Sequence, residues 1–152
     1  MSAGAEMEEL LRTLSELPGP TGQEDAVLDW VTAAWDGRGA ITRTAVGNLL
    51  LHVGGRGPRM LVCAHADELS FIVRSVTPEG FLRVLPGERD QFMAPLFHGA
   101  PLRILAEGGH LPAVFATVTG HAQTVEQRDG TRRGWDDVFV DAGMTAAELA
   151  AA

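Results

Sequence analysis

One short stretch gathers the residue types that can do chemistry: Met60-Leu61-Val62-Cys63-Ala64-His65-Ala66-Asp67-Glu68. An apolar run ends abruptly in an imidazole and two carboxylates. A histidine that binds a metal through one ring nitrogen usually gives the N–H of the other to an acceptor, which sets tautomer and orientation. An aspartate two residues on can be that acceptor, or can support a metal-bound water. His65 is thus the candidate metal ligand and Asp67 the candidate catalytic carboxylate. On spacing alone a plainer reading is favoured, a chance histidine at a strand end followed by two surface acids. Cys63 shares a strand face with His65, so a thiolate–imidazole pair is a further reading. Against it, Cys63 lies inside the apolar run, where a free cysteine behaves as a small hydrophobe. Asp67 and Glu68 point to opposite faces of an extended chain, so they do not form the facing pair of a glycosidase. His52, His98, His110 and His121 flank turns or point outward from strands, and read as surface or locally hydrogen-bonded groups.

Something must hold His65 and Asp67 in place. Met60 to Ala64 is apolar on both faces, which predicts a central strand covered above and below. Ligands in open α/β sheets sit outside the carboxyl ends of such strands. Upstream, Met7, Leu10, Leu11, Leu14 and Leu17 recur at helical spacing and predict a first helix, stopped by Pro18-Gly19-Pro20. Thr21-Gly22-Gln23-Glu24 has the form of a capping box and predicts the start of a second helix carrying Val27, Trp30, Val31, Ala34 and Trp35. Ala40–Thr44 and Leu49–Val53 then read as paired strands, and Gly54-Gly55-Arg56-Gly57-Pro58 as a hairpin turn into the Met60 strand.

Downstream, the apolar period stays at two. Leu69–Val76 and Phe81–Leu85 make a hairpin closed by Thr77-Pro78-Glu79-Gly80, whose Pro and Gly suit a type I turn. Pro101–Ala106 and Pro112–Val118 pair around Glu107-Gly108-Gly109. Gln123–Trp135, with arginines among acids, reads as a solvated loop. Val138–Val140 is a last strand. Thr145-Ala146-Ala147-Glu148 opens a final helix, and that helix, cut off after two turns, is expected to belong to a longer chain.

Composition narrows the function. The 152 residues carry a net charge of −8, with 45% hydrophobic and 21% charged residues, as a foldable globular chain does. Every basic residue is arginine. An acidic chain without a basic stripe is a poor binder of nucleic acid or anionic membrane. The absence of lysine excludes a phosphate-loop lysine and a Schiff-base lysine. One cysteine makes no internal disulfide, and no signal peptide or membrane-length apolar run is evident, so a cytoplasmic protein is expected.

Six stretches, in order, resemble the N-terminal portion of one family, the tetrahedral aminopeptidases and glutamyl aminopeptidases. These are dinuclear metallopeptidases also labelled endoglucanase or cellulase. The opening Pro-Gly-x-Ser-Gly-x-Glu of that family is similar to Pro18-Gly19-Pro20-Thr21-Gly22-Gln23-Glu24, with Thr for Ser, and its Gly-Asn-Leu turn to Gly47-Asn48-Leu49. Its metal-site signature His-Met-Asp-Glu-Ile-Gly-Phe is similar to His65-Ala66-Asp67-Glu68-Leu69-Ser70-Phe71. Gly80-Phe81-Leu82-Arg83, Leu111-Pro112-Ala113-Val114-Phe115-Ala116 and Val138-Phe139-Val140-Asp141-Ala142-Gly143-Met144 resemble three later segments, the second with both glycines replaced by alanine.

The resemblance implies an α/β protein: part of a three-layer α/β catalytic domain over residues 1–68, then part of a β-rich, PDZ-like or barrel insertion domain over residues 69–152 that serves oligomerisation. It implies that His65 ligates one of two divalent metals (zinc, cobalt or manganese), with Asp67 orienting it, and that the substrate is a peptide cleaved at its N-terminus. The bridging aspartate, a Glu-Glu pair, a further carboxylate and a last histidine of the family have no counterpart in this sequence. One imidazole cannot make a catalytic site of three protein ligands plus water. The expectation is therefore an inactive N-terminal piece that forms a homo-oligomer or needs a missing C-terminal half. The alternative is a stand-alone, non-catalytic β-domain protein that self-associates.

Overall fold

The structure, a computed structural model, describes residues 2–86, 97–117, 124 and 135–152. The chain divides into two compact units, Met1–Ser70 and Phe71–Ala152. Most of the expected loop at 123–135, and His121 before it, lie outside the described residues.

In the first unit, helix α1 spans Ala3–Glu16 and is capped by Ser2, whose side chain accepts the Ala5 N–H. It buries none of its residues; Met7 and Leu11 of the apolar stripe stay 55% and 59% exposed. Helix α2, Asp25–Ala34, buries Val27 and Leu28. Strands β1 (Ala40–Arg43) and β2 (Leu49–His52) form the expected antiparallel hairpin, with Ala40 opposite His52 and Arg43 opposite Leu49. Arg43 reaches from β1 to Asp25 and Asp29 on α2.

Three local expectations fail in this unit. Thr21 does not cap α2: the cap residue is Glu24, and no side chain closes the helix start. The Thr21 hydroxyl is engaged elsewhere, as described below. The segment 54–58 is no hairpin turn, because no strand follows it. Met60–Ala64 forms no strand, and Met60, Leu61 and Val62 are 87%, 79% and 83% exposed. A strand needs a neighbour to accept its ladder, and among the described residues of this unit only β1 and β2 form a sheet, with each other. Cys63, expected inside a buried run, is exposed for the same reason.

The second unit is a five-stranded antiparallel sheet in the order β3-β4-β7-β6-β5. Its strands are β3 (Phe71–Val76), β4 (Phe81–Pro86), β5 (Pro101–Ala106), β6 (Gly109–Thr117) and β7 (Val138–Asp141). Both expected hairpins are present, and β7 lies between them. Leu82 of β4 and Phe115 of β6 both pair with Val140, so three apolar side chains line up across the sheet. With Val84, Ala113 and Val138 they form the buried core; Phe115 and Val138 have no exposed surface. Phe71, Phe97 and Trp135 pack on Phe115 with ring centroids 5.5, 5.7 and 6.2 Å away, tilted or edge-on as aromatic quadrupoles prefer. The other sheet face carries Ile72, Leu85 and Val114, which remain substantially exposed.

Helix α3, Ala146–Ala151, starts with the predicted capping box: Thr145 accepts the Glu148 N–H, and the Glu148 carboxylate accepts the Thr145 N–H at 2.8 Å. The β3–β4 turn touches the start of this helix through Gly80, at φ +92°. A Cβ there would lie 2.2 Å from the Met144 carbonyl oxygen. No helix of the described residues is long and apolar enough to cross a membrane.

Candidate functional site

The candidate residues lie where two loops of the first unit meet. One is Pro18–Gln23, between α1 and α2; the other is Ala66–Glu68. Glu68 joins them twice. Its N–H donates to the Gly19 carbonyl at 2.8 Å, and its carboxylate accepts the Gly19 N–H at 2.9 Å. Pro20 and Glu68 form an isolated parallel bridge at the same place. Glu68 is thus more than the surface acid of the plainer reading. Gly19 is buried, and a Cβ on it would lie 3.0 Å from Val27 Cγ2 and 3.3 Å from the Ala66 carbonyl oxygen. Only a residue without a side chain fits there comfortably. Beyond it, the Gln23 N–H closes a turn on the Pro20 carbonyl at 2.8 Å, with Gly22 at φ +86° in its third position. That position of a type II turn demands a positive φ.

This loop sets Thr21 against Asp67. The Thr21 hydroxyl donates to Asp67 Oδ2 at 2.7 Å. The other carboxylate oxygen, Oδ1, lies 2.9 Å from His65 Nδ1, which is also 3.0 Å from the Asp67 carbonyl oxygen. Ionised carboxylates and carbonyls only accept. Nδ1 therefore carries the hydrogen and donates it to Asp67. The bond from Thr21, and after it the bond from His65, hold the Asp67 carboxyl below its ordinary value of 3.8. Asp67 is half-buried, whereas the His65 side chain is 86% exposed.

With the proton on Nδ1, a neutral His65 presents the lone pair of Nε2 outward. That is the arrangement of a metal-binding histidine with a carboxylate behind it. His65 and Asp67 thus fit one ligand and its orienting partner. No group of three or more His, Cys, Asp or Glu residues that could hold a metal occurs among the described residues.

The remaining candidates do not join this cluster. Cys63 is a free, exposed cysteine. His98 meets Thr117 at 3.3 Å within the β unit; His52 and His110 are exposed. A separate cavity of about 320 Å³ in the second unit is lined by Arg74, Ser75, Arg83, Val84, Trp135 and Asp136. Arg83 is occupied there, donating to the carbonyls of Asp136 and Val138 at 2.8 and 3.1 Å, and Arg74 pairs with Asp136 at 3.5 Å. Sequence reasoning singled out neither Thr21 nor Glu68 for this site. The signal for Thr21 is the short Pro-Gly-x-(Ser/Thr)-Gly loop, and that for Glu68 its place in the stretch similar to the metal-site signature.

The sequence model of the family described as M42 glutamyl aminopeptidase matches residues 47–152. The chain belongs to that family. It is 26% identical over 147 residues to the lysyl aminopeptidase of Pyrococcus furiosus, covering 93% of this chain and 41% of that protein. The structure is similar to a TET aminopeptidase from a marine sediment archaeon of the Thaumarchaeota, with a TM-score of 0.83 at 25% identity. That match covers 99% of this chain and 42% of the other. It is also similar to the TET1 peptidase of Pyrococcus horikoshii, which assembles into a tetrahedron or a large octahedral shell. There the TM-score is 0.74 at 27% identity, covering 95% of this chain and 43% of that one. The M42 chain described here therefore spans about two fifths of the length of these relatives, and its mixed α/β fold with an antiparallel sheet corresponds to part of theirs.

Proposed function

We propose that this M42 chain is the N-terminal piece of a metal-dependent aminopeptidase that removes N-terminal residues from peptides. The observation that carries the reading is the His65–Asp67 pair, with Nδ1 tied to a carboxylate and Nε2 left open. Residues 1–68 are then part of a three-layer α/β catalytic domain, and residues 69–152 part of a PDZ-like β-domain. The separation of the chain into two compact units and its likeness to TET aminopeptidases support this division.

In this reading His65 Nε2 ligates one of two divalent metals, and Asp67 holds the ring in the ligating tautomer. When bound, such a metal pair polarises the scissile carbonyl and activates water at neutral pH. The remaining ligands and the general base come from sequence outside these 152 residues, in keeping with the share of each relative that the chain covers. The chain alone is therefore inactive.

Assaying the purified chain on aminoacyl-nitroanilides with added cobalt or zinc tests this, and turnover above a His65→Ala control refutes it. The gene decides the rest: the reading frame downstream of Ala152 encodes the missing carboxylates and histidine, or a separately encoded half co-purifies. A second reading, a non-catalytic protein whose β-domain self-associates, is favoured by the exposed outer sheet face at Ile72, Leu85 and Val114. It gains if neither the frame nor a partner supplies the ligands.

A further inference from the structure

Asp67 has two carboxylate oxygens, and each has one partner: His65 on Oδ1 and Thr21 on Oδ2. Sequence grammar assigned that hydroxyl to the start of α2, where no side chain replaces it. The structure therefore forgoes a helix cap and spends the hydroxyl 46 positions away. We infer that Thr21 is a positioning residue for the imidazole: by fixing one oxygen of Asp67, it holds the other on His65 Nδ1–H and keeps Nε2 as the open nitrogen. This deepens the reading of His65 as a metal ligand and rests on it for its functional meaning.

Three observations argue that the contact is built. The loop bearing Thr21 is latched to the Asp67 segment by both Glu68–Gly19 hydrogen bonds, and a Cβ at Gly19 would crowd that approach, 3.3 Å from the Ala66 carbonyl oxygen. The turn after Thr21 is closed at two points, by Gln23 N–H on the Pro20 carbonyl and by Gly22 N–H on the Glu24 carboxylate at 2.7 Å. Asp67 also needs such support. His65 is largely exposed, so water competes for its Nδ1–H. A carboxylate free to turn would leave Nδ1–H only the Asp67 backbone carbonyl at 3.0 Å, which weakens the hold on this tautomer against the Nε2–H form, and that form cannot ligate through Nε2.

The test uses the whole chain labelled with 15N-histidine. Long-range 1H–15N spectra are recorded at about pH 8, above the reference value of an imidazole in a model peptide. In the wild type, His65 carries its proton on Nδ1. Thr21→Val, which keeps the shape and removes the hydroxyl, lowers that population by about twofold or more, whereas Thr21→Ser retains it. His52, His98 and His110 stay unchanged in every variant. A purely structural Thr21 would move stability without moving the tautomer. Thr21→Ala answers the same question if the valine variant folds poorly. Wild-type tautomer populations in the hydroxyl-free variants overturn the inference.

Adding zinc alone probes the underlying assignment separately. Zinc shifts the His65 Nε2 signal in the wild type and Thr21→Ser, with affinity about tenfold weaker in Thr21→Val. If zinc leaves Nε2 unmoved in the wild type while the tautomer still answers to Thr21, the ligand assignment fails and the Thr21 lock stands.

Discussion

Substituting Gly80 by alanine separates two costs that usually arrive together. Gly80 sits at φ +92°, and so does not suit an L side chain; Gly143, in the same unit at φ +66°, shares that property. A left-handed backbone costs an L residue roughly 1–2 kcal/mol. The two positions differ in their surroundings. A Cβ at Gly143 has nothing within 4 Å, whereas at Gly80 it would sit 2.2 Å from the Met144 carbonyl oxygen and 3.2 Å from Thr145 Cα. Those are backbone atoms at the start of α3, and they can move only if the capped helix moves. Such overpacking adds about 2 kcal/mol. In a unit of this size 1 kcal/mol corresponds to about 4–8 °C in Tm. Gly143→Ala should therefore lower the melting temperature of the β unit by roughly 5–15 °C. Gly80→Ala should lower it by about another 8–16 °C. Amide exchange adds a local reading: protection of the Thr145 and Glu148 N–H groups should fall in Gly80→Ala and persist in Gly143→Ala. Equal melting temperatures for the two variants, or intact protection at Thr145 in both, would refute the idea that the turn and the helix start are packed backbone to backbone.

Other outcomes follow from the same geometry. Phe115→Ala removes a ring with no exposed surface, and should destabilise the β unit by about 3–5 kcal/mol in urea, against under about 0.5 kcal/mol for an exposed control such as Glu107→Ala. Glu148, bonded first by the Thr145 N–H and then by its hydroxyl, has its carboxyl held below the usual 4.5. A lowered acid stabilises the folded state above its unfolded pKa, and that contribution is lost as pH falls through the folded value. Exchange protection at Thr145 should therefore persist from neutral pH down to 4.5 and fade only below it, and a loss beginning near pH 6 would contradict the cap.

The β unit was readable because its information is local. Short, mostly apolar runs at Phe81–Leu85 and Pro101–Ala106, with Pro78-Glu79-Gly80 and Glu107-Gly108 between the strands, decide strand and turn within a few residues. The capping box at Thr145 is equally local. What failed depends on distant partners. Met60–Ala64 has the composition of a doubly covered strand, yet composition cannot supply neighbours, and none is present among the described residues of its unit. Thr21 failed for the opposite reason. Its local pattern was a sound capping box, and a carboxylate far along the chain outcompeted the helix for the hydroxyl. Departures of that kind tend to fall where function constrains the chain. At the site, His65 and Asp67 stand out through the resemblance of His65–Phe71 to a family signature, since spacing alone favours chance; the support given by Thr21, Gly19 and Glu68 is not legible there.

The Gly19–Glu68 latch bears on any attempt to transplant this site. The tetrapeptide His65-Ala66-Asp67-Glu68 is not a portable module, because its imidazole is steadied from a loop that precedes α2. A designer who copies only the four residues onto a new scaffold inherits the His65–Asp67 contact without the Thr21 bond that steadies the carboxylate. Copying Pro18–Gln23 as well, glycine included, brings the scaffolding with the chemistry.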